Sequence, residues 1–174
     1  MPGHQIVASN GLLHSIDTLG HGKKRYQWRE LYPIPTYLVS IAIYPYTVWY
    51  DQFVSANGDT MPIDFYVYPD NYDISRPNFL LVKDMLDVFS EKFGEYPFLR
   101  EKYGHANFGW GGGMEHQTIT SIGGHSEWLI AHELGHSWWG NKITCSSFEH
   151  IWLNEGFARF SEALWEEERY GYNQ

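Results

Sequence analysis

The sequence predicts an α+β fold, in which strands come first along the chain and most of the helical structure follows. Residues up to about 70 hold runs rich in aromatic and β-branched side chains, whereas three stretches after residue 74 have apolar residues at helical spacing. Residues 95–125 are rich in glycine and hold only short strand-like pieces such as QTITSI. Strands and helices that are segregated in this way are typical of α+β domains.

The strand predictions rest on composition and alternation. RYQW, residues 25–28, and YLVSIAIY, residues 37–44, are two such runs on either side of a proline-marked link. The segment that follows ends at the turn residues Asn57, Gly58 and Asp59. In MPIDFYVYP, residues 61–69, alternation places the apolar Ile63, Phe65 and Val67 on one face and Asp64, Tyr66 and Tyr68 on the other. The turn predicts a boundary in the chain at this point.

Three helices are predicted from capping residues and apolar spacing. The first begins near Ser75, which can serve as the N-cap, has Pro77 in its first turn and ends at Gly94. The other two cover residues 126–139, followed by Gly140, and residues 152–170, followed by Gly171.

Charge and composition exclude several classes of protein. The 174 residues carry a formal net charge of -9 and no run of Lys or Arg, so no nucleic-acid partner is expected. The longest apolar run is too short to span a membrane and the first residues lack a signal peptide, which predicts a soluble chain of unspecified compartment. The single Cys145 excludes an intrachain disulfide. No feature of the sequence specifies the oligomeric state.

The stretch LIAHELGHSWWG, residues 129–140, predicts a metal site. In a helix His132 and His136 lie one turn apart on nearly the same line, so both imidazoles can reach one ion. Zn²⁺ favours such nitrogen ligands, and Glu133 suits a base that acts on an activated water. The alternative is a pair of histidines hydrogen-bonded in an apolar core, since the motif arises by chance in about 0.03 of shuffled sequences.

Glu155 strengthens the metal interpretation. It follows His136 after eighteen residues, near the start of the next helix, and two antiparallel helices can bring such a carboxylate to the histidines. One zinc ion per chain is therefore predicted, with His132, His136 and Glu155 as ligands. Glu162 lies two turns further along the same face. It is either an acceptor for the outer N–H of a ligand histidine or a solvated helix glutamate.

These motifs resemble those of the aminopeptidase N family of gluzincin zinc metallopeptidases. HELGH, the gap of eighteen residues and WLNEGFA match the zinc signature of that family. WGGGMEHQT resembles its exopeptidase motif G-x-M-E-N, and PIPTYLVSIAI, from Pro33, resembles the last strands of its N-terminal β domain. The resemblance implies that residues 1–58 end that β domain and that residues 59–174 begin a thermolysin-like catalytic domain. The chain would then be a fragment of a larger enzyme.

The resemblance also implies roles for individual residues. They are the zinc ligands His132, His136 and Glu155, the general base Glu133, the amine-binding Glu115, and Gly112, Gly113 and Met114 along the substrate backbone. The chemistry agrees independently, because a peptide N-terminus is a cation that a carboxylate near the metal would hold. Alone, GGGMEH would indicate a glycine loop, and its position seventeen residues before HELGH favours the functional interpretation.

The chain departs from the family pattern at two points. His116 stands where the family has asparagine, which affects the geometry of the motif and leaves the role of Glu115 in place. A fourth ligand is not expected at His116, since a catalytic zinc keeps one position open. The family tyrosine that stabilises the oxyanion lies well beyond the glutamate ligand, and Tyr170 and Tyr172 are too close to Glu155 to be that residue. Weak activity of this chain is therefore expected.

The sequence thus predicts a zinc-dependent aminopeptidase acting on peptides with a free N-terminus. Two alternatives remain. A thermolysin-like endopeptidase would share the zinc site without needing Glu115, and a non-catalytic zinc-binding fragment or scaffold module would keep the fold alone. The aromatic side chains of residues 44–53 either line a substrate pocket or pack between two regions of the chain.

Overall fold

The computed structural model describes residues 1–172, and its N-terminal part consists of two small antiparallel strand pairs. β1 (Ile6–Ser9) pairs with β4 (Ile41–Tyr44), and β2 (Leu12–Leu19) forms a hairpin with β3 (Lys23–Arg29). A 3₁₀ turn, Thr36–Leu38, precedes β4. RYQW lies within β3, as predicted, whereas YLVSIAIY is a strand only in its second half because its first residues belong to the turn.

A five-stranded mixed sheet follows. Its strands are β5 (Thr47–Val54), β6 (Thr60–Val67), β7 (Tyr103–Asn107), β8 (Gly113–Met114) and β9 (Thr120–Ile122). They lie side by side in the order β5-β6-β7-β9-β8. β6, β7 and β9 are parallel, while β5 and β8 run antiparallel to their neighbours. β8 therefore forms one edge of the sheet.

Four helices cover one face of this sheet. They are α1 (Tyr72–Phe79), α2 (Val82–Phe93), α3 (Glu127–Gly135) and α4 (Trp152–Tyr170). The main core lies between them and β6, where Ile63, Phe65 and Val67 are fully buried on the predicted apolar face. Among residues 1–172, no helix is both long and apolar enough to cross a membrane.

The opposite face of β6 is buried as well. Tyr66 was placed by alternation on the polar side, yet only 3% of it is exposed, because Ala8 of β1 and Tyr46 pack over it. The N-terminal strands thus cover the second face of the sheet. Of the aromatic side chains in residues 44–53, Trp49 and Phe53 pack in or against the main core.

The first predicted helix is two helices in the structure. α1 begins at Tyr72, three residues before the predicted cap Ser75, and Pro77 lies in its last turn rather than its first. Proline has no N–H to continue the helical ladder, and the N–H of Leu81 forms a tighter bond to Asn78 O at 3.1 Å. The predicted stop is confirmed, since Gly94 has a φ of 92°.

The second predicted helix is shorter than expected, while the third is confirmed in its bounds. α3 ends at Gly135 instead of Trp139, and the chain turns so that Asn141 N donates to His136 O at 3.0 Å. This turn directs the indole of Trp138 into the core, where it donates to Gly94 O at 2.8 Å. Packing of a large side chain here overrides the helical pattern.

The hairpin of β5 and β6 contains the predicted boundary between the two regions of the chain. The two strands pair over eight residue positions, and the predicted boundary between residues 58 and 59 falls in the turn that joins them. A boundary before Thr47 would keep the five-stranded sheet whole, and we propose to place it there. Residues 173 and 174 of the second predicted region lie outside the described residues.

Candidate active site

His132 and His136 meet Glu155 where α3 ends and α4 begins. The Nε2 atoms of the two histidines are 3.2 Å apart. Oε2 of Glu155, in the first turn of α4, lies 3.3 Å from Nε2 of His132 and 3.7 Å from Nε2 of His136. The structure therefore brings together the three side chains that the sequence predicts as ligands.

The outer nitrogen of each imidazole has an acceptor as its partner. Nδ1 of His132 is 2.7 Å from Oε1 of Glu162, and Nδ1 of His136 is 3.0 Å from the carbonyl oxygen of Trp139. Each Nδ1 must therefore carry the proton and donate it, which leaves a lone pair on each Nε2. The lone pairs and the Glu155 carboxylate converge, and they repel one another unless a cation lies between them.

Zn²⁺ fits this set of donors. Zinc–nitrogen bonds of about 2.0–2.1 Å at tetrahedral angles place neighbouring ligand atoms about 3.3 Å apart, close to the separations of the three atoms here. Two imidazoles and one carboxylate also leave a fourth position open. A metal-free site attracts a proton instead: burial lowers the pKa of His136, but the hydrogen bond with Glu155 and the charge of Glu115 outweigh it and raise the pKa to about 9.

Glu133 lies beside the histidines with only 5% of its surface exposed. Its Oε2 has no hydrogen-bond partner among the described residues. Burial raises the pKa of Glu133 to about 8; His136 lowers it, whereas Glu115 and other nearby carboxylates raise it further. A carboxyl group that titrates near neutral pH can both accept and return a proton.

Glu115 brings a second buried carboxylate to the same place. It is 6% exposed, and one of its oxygens lies within 4.8 Å of a carboxylate oxygen of Glu133 and of a ring nitrogen of His136. Its backbone carbonyl accepts a hydrogen bond of 2.8 Å from Nδ2 of Asn141, in the loop after α3. The arrangement can hold a cationic group next to the metal position and the base.

The glycines of the motif bring the backbone close to Glu133. Gly112 has a φ of 86° and leads into β8, which contains Gly113 and Met114. A Cβ at Gly113 would overlap the carboxylate of Glu133, so this position needs glycine for a reason internal to the protein. As the edge strand of the sheet, β8 is also open to pairing with an extended peptide.

A cleft of about 680 Å³ runs beside β8. Met114 and His116 line it from one side, residues of β4 line it from another, and Tyr46 also contributes to the wall. Nδ1 of His116 is 2.9 Å from Oγ of Ser121. His116 belongs to neither of the two groups of described residues whose spacing suits a metal ion.

Several residues of the site escaped the sequence analysis. Arg159 Nη1 contacts both carboxylate oxygens of Glu162, at 2.6 and 2.9 Å, and their spacing of three residues on one helix is a signal that was available. The Trp139 carbonyl lies only three residues from His136, and it becomes an acceptor because α3 ends at Gly135, earlier than predicted. Asn141 and Tyr37 reach the site through contacts between distant parts of the chain. No local sequence pattern predicts contacts of that kind.

Comparison with known protein families and curated sequences gives consistent results. A family model described as the peptidase family M1 domain matches residues 114–174. Glutamyl aminopeptidase of Rattus norvegicus is 28% identical over 180 residues, which cover 94% of this chain and 19% of that protein. Leucine aminopeptidase 2 of Pyricularia oryzae is 34% identical over 176 residues, covering 91% of this chain and 26% of that protein.

Solved structures share the same architecture. The M1 zinc metallopeptidase from Deinococcus radiodurans matches with a TM-score of 0.84 and 27% identity, over 97% of this chain and 39% of that one. The chain thus spans about a fifth to a quarter of the curated relatives and about two fifths of this structure.

Proposed function

The chain belongs to the peptidase M1 family of zinc metallopeptidases, and on this basis we propose that it carries the metal-binding and amine-anchoring part of an aminopeptidase. The reaction would remove N-terminal residues from peptides. The observation that carries the proposal is the position of the Glu115 carboxylate beside both Glu133 and His136. One carbon atom separates the α-ammonium of a peptide from its first carbonyl group, so an anchor here selects the first peptide bond.

We assign one zinc ion per chain to His132, His136 and Glu155. Zinc in such a set supplies Lewis-acid activation of water and of the scissile carbonyl. Glu162 and the carbonyl group of Trp139 hold the two imidazoles so that their Nε2 lone pairs converge. These outer contacts also fix which nitrogen of each ring is free to bind a metal.

Glu133 would act as the general base. It takes a proton from the attacking water and returns it to the leaving amine. Burial supports this role because it makes proton binding easier than at an exposed glutamate, as the raised pKa of Glu133 indicates. A cation placed beside Glu133 would favour its charged form before the reaction begins.

Glu115 would bind the free α-ammonium, with the backbone of Gly112, Gly113 and Met114 along the peptide. The family pattern also requires an oxyanion donor, a tyrosine well beyond the glutamate ligand. Loss of one such donor lowers the rate by about 10² to 10³. We therefore expect a polypeptide restricted to these 174 residues to bind zinc and to hydrolyse substrates slowly.

The first test is the zinc content of the purified chain beside that of a Glu155→Ala variant. We expect about one zinc per chain in the wild type and its loss in the variant. No zinc in either protein would overturn the assignment of these ligands for this chain.

Substrate tests on the chain and on a longer protein that includes it separate the remaining alternatives. An aminopeptidase cleaves leucine p-nitroanilide and leaves N-acetyl-leucine p-nitroanilide intact, because acetylation removes the cation that Glu115 binds. An endopeptidase has no need of the free amine and would cleave N-terminally blocked peptides. Bound zinc without hydrolysis of either kind in the longer protein would indicate a non-catalytic scaffold.

A further inference from the structure

The 3₁₀ turn Thr36–Leu38 contacts both halves of the candidate site. The hydroxyl of Tyr37 donates to the carbonyl oxygen of Gly140 at 3.1 Å and lies 2.9 Å from Oγ1 of Thr144. The next residue, Leu38, accepts a hydrogen bond of 3.3 Å from the N–H of Gln117. One turn of the N-terminal part is therefore bonded to the loop after α3 and to the segment after Glu115.

The contact with Gly140 lies directly behind a metal ligand. The carbonyl oxygen of Trp139, one residue earlier, accepts the Nδ1–H of His136 at 3.0 Å. Gly140 packs so closely that a Cβ there would lie 3.1 Å from Nδ1 of His136. The peptide that Tyr37 holds therefore adjoins the group that orients His136.

The same loop reaches the anchor carboxylate on its other side. Asn141, which follows Gly140, donates from Nδ2 to the carbonyl oxygen of Glu115 at 2.8 Å and is 8% exposed. Its own N–H donates to the carbonyl oxygen of His136 at 3.0 Å. Residues 139–141 thus bridge the zinc ligand and the amine anchor, and Tyr37 bonds to the middle of that bridge.

We propose that Tyr37 is a positioning residue that sets the distance between the Glu115 carboxylate and the metal ligand His136. The inference rests on the proposed function, since that distance matters only for a ligand that bridges the two groups. A peptide N-terminus is such a ligand: its ammonium binds Glu115 while the adjacent carbonyl meets the metal position. Loss of the hydroxyl lets the bridge relax and weakens ligands that use both groups.

Binding of two hydroxamates to the zinc-loaded chain tests this proposal. L-leucine hydroxamate has a metal-binding group and a free amine, whereas N-acetyl-L-leucine hydroxamate keeps only the metal-binding group. The dissociation constant of the N-acetyl compound divided by that of the free-amine compound measures how much binding gains from Glu115 in addition to the metal. In Tyr37→Phe we expect this ratio to fall by about three- to tenfold, the effect of one lost hydrogen bond, while the N-acetyl compound binds within about twofold of its wild-type affinity.

Two further variants complete the test. Tyr32→Phe is the matched control, because the Tyr32 hydroxyl accepts from Arg100 N, away from the bridge, and its loss should leave the ratio unchanged. Thr144→Val keeps the side-chain shape, removes the second partner of Tyr37 and should lower the ratio in the same direction. If Tyr37→Phe does not fold, the ratio measured for Thr144→Val tests the proposal in its place.

The outcomes separate this inference from the proposed function. A wild-type chain that binds neither hydroxamate, or binds both equally, overturns the proposed function and this inference with it. A wild-type preference for the free amine that persists unchanged in Tyr37→Phe and Thr144→Val overturns the inference alone. A drop of equal size in Tyr32→Phe would also overturn it, because the effect would then be general.

Discussion

At the scale of single residues, His132 depends on a contact made away from the metal position. Its Nδ1 donates to Glu162, whose side chain is 8% exposed and is held in turn by Arg159. A buried carboxylate at this distance fixes the orientation of the ring and makes its free nitrogen a better donor to a metal. We therefore expect Glu162 to contribute to metal affinity without touching the ion.

Glu162→Gln should weaken zinc binding by about 10- to 100-fold. The amide has nearly the shape of the carboxylate but no charge, so the imidazole is held less firmly and its free nitrogen is a weaker ligand. Competition with a chromophoric chelator measures the affinity. Glu167→Gln, at an exposed position on the same helix, should leave zinc affinity unchanged. Equal losses in both variants would show that Glu162 has no specific role.

Gly113 illustrates what a sequence can and cannot reveal about a single residue. The motif predicted a glycine beside the substrate, and the structure adds that the same Cα lies against Glu133. The spacing of the two motifs in the sequence indicates a shared site, but it does not predict this contact between residues 113 and 133. The role of a residue in a motif can be inferred from its neighbours along the chain, whereas its contacts depend on the fold.

At the scale of elements, the crossing of α3 and α4 sets the separation of the proposed metal ligands. The two helices approach closely at Gly135, where an added Cβ would lie 2.6 Å from Cβ of Ser161. Gly156 of α4 has no atom within 4 Å of such a Cβ. The two glycines are equally unfavourable for a helix, but only the first is required by packing.

Gly135→Ala should lower the free energy of unfolding by about 1–3 kcal/mol, because the new methyl group forces the two helices apart. Gly156→Ala should raise it by about 0.5–1 kcal/mol, because alanine favours the helix and meets no neighbour. Urea unfolding of both variants beside the wild type measures the difference. Stabilisation by Gly135→Ala would contradict the close approach of the helices.

The elements themselves were predicted unevenly. The bounds of α4 were predicted correctly because apolar spacing and a final glycine are local signals, and packing does not oppose them. α3 ended early because the core takes up Trp138. The first predicted helix is interrupted at Leu80 and Leu81, where the N–H of Leu81 bonds to Asn78 O, three residues back. β7 was missed because Tyr103–Asn107 is buried on both faces and shows no alternation.

At the scale of the whole molecule, the N-terminal strands meet the sheet through buried polar groups. Lys102 is fully buried, and its Nζ donates to Ser9 O at 2.9 Å and lies 5.0 Å from the centre of the Trp28 ring. Glu30 and Glu101 come together in the same layer, within hydrogen-bonding reach of each other. One oxygen of each carboxyl group has no hydrogen-bond partner among the described residues. Burial beside a second carboxyl group favours the protonated form of Glu30, and the charge of Lys102 opposes this effect.

The site was more predictable than this junction for a physical reason. The proximity of His132, His136 and Glu155 follows from helical geometry and from the spacing between His136 and Glu155. Both can be read from the sequence. The Glu30 and Glu101 pair joins residues about seventy positions apart, and each glutamate alone is typical of a solvated surface. Burial of such groups becomes visible only when the N-terminal strands are placed on the sheet.

The buried carboxyl group of Glu30 makes the stability of this junction depend on pH. Burial raises the pKa of Glu30 to about 8, with a further increase from the hydrogen bond with Glu101, against an unfolded value near 4.5. Between these values the folded chain keeps a proton that the unfolded chain releases. The contribution of Glu30 to the free energy of unfolding is therefore fully present below pH 4.5 and is lost as the pH rises towards 8.

Glu30→Gln should remove this dependence, because an amide cannot ionise. Its oxygen can still accept the hydrogen bond of 2.9 Å from Gln117, and its nitrogen can donate to the neighbouring Glu101 carboxyl group. Relative to wild type, the variant should gain about 1–2 kcal/mol between pH 5 and pH 8, a modest value because Glu30 is half-buried and solvent screens its charge. Urea unfolding at several pH values measures the difference between the two proteins, so other titrating groups cancel. Glu168→Gln, at an exposed position, should show no such trend. A constant difference between Glu30→Gln and wild type would show that the fold does not raise the pKa of Glu30.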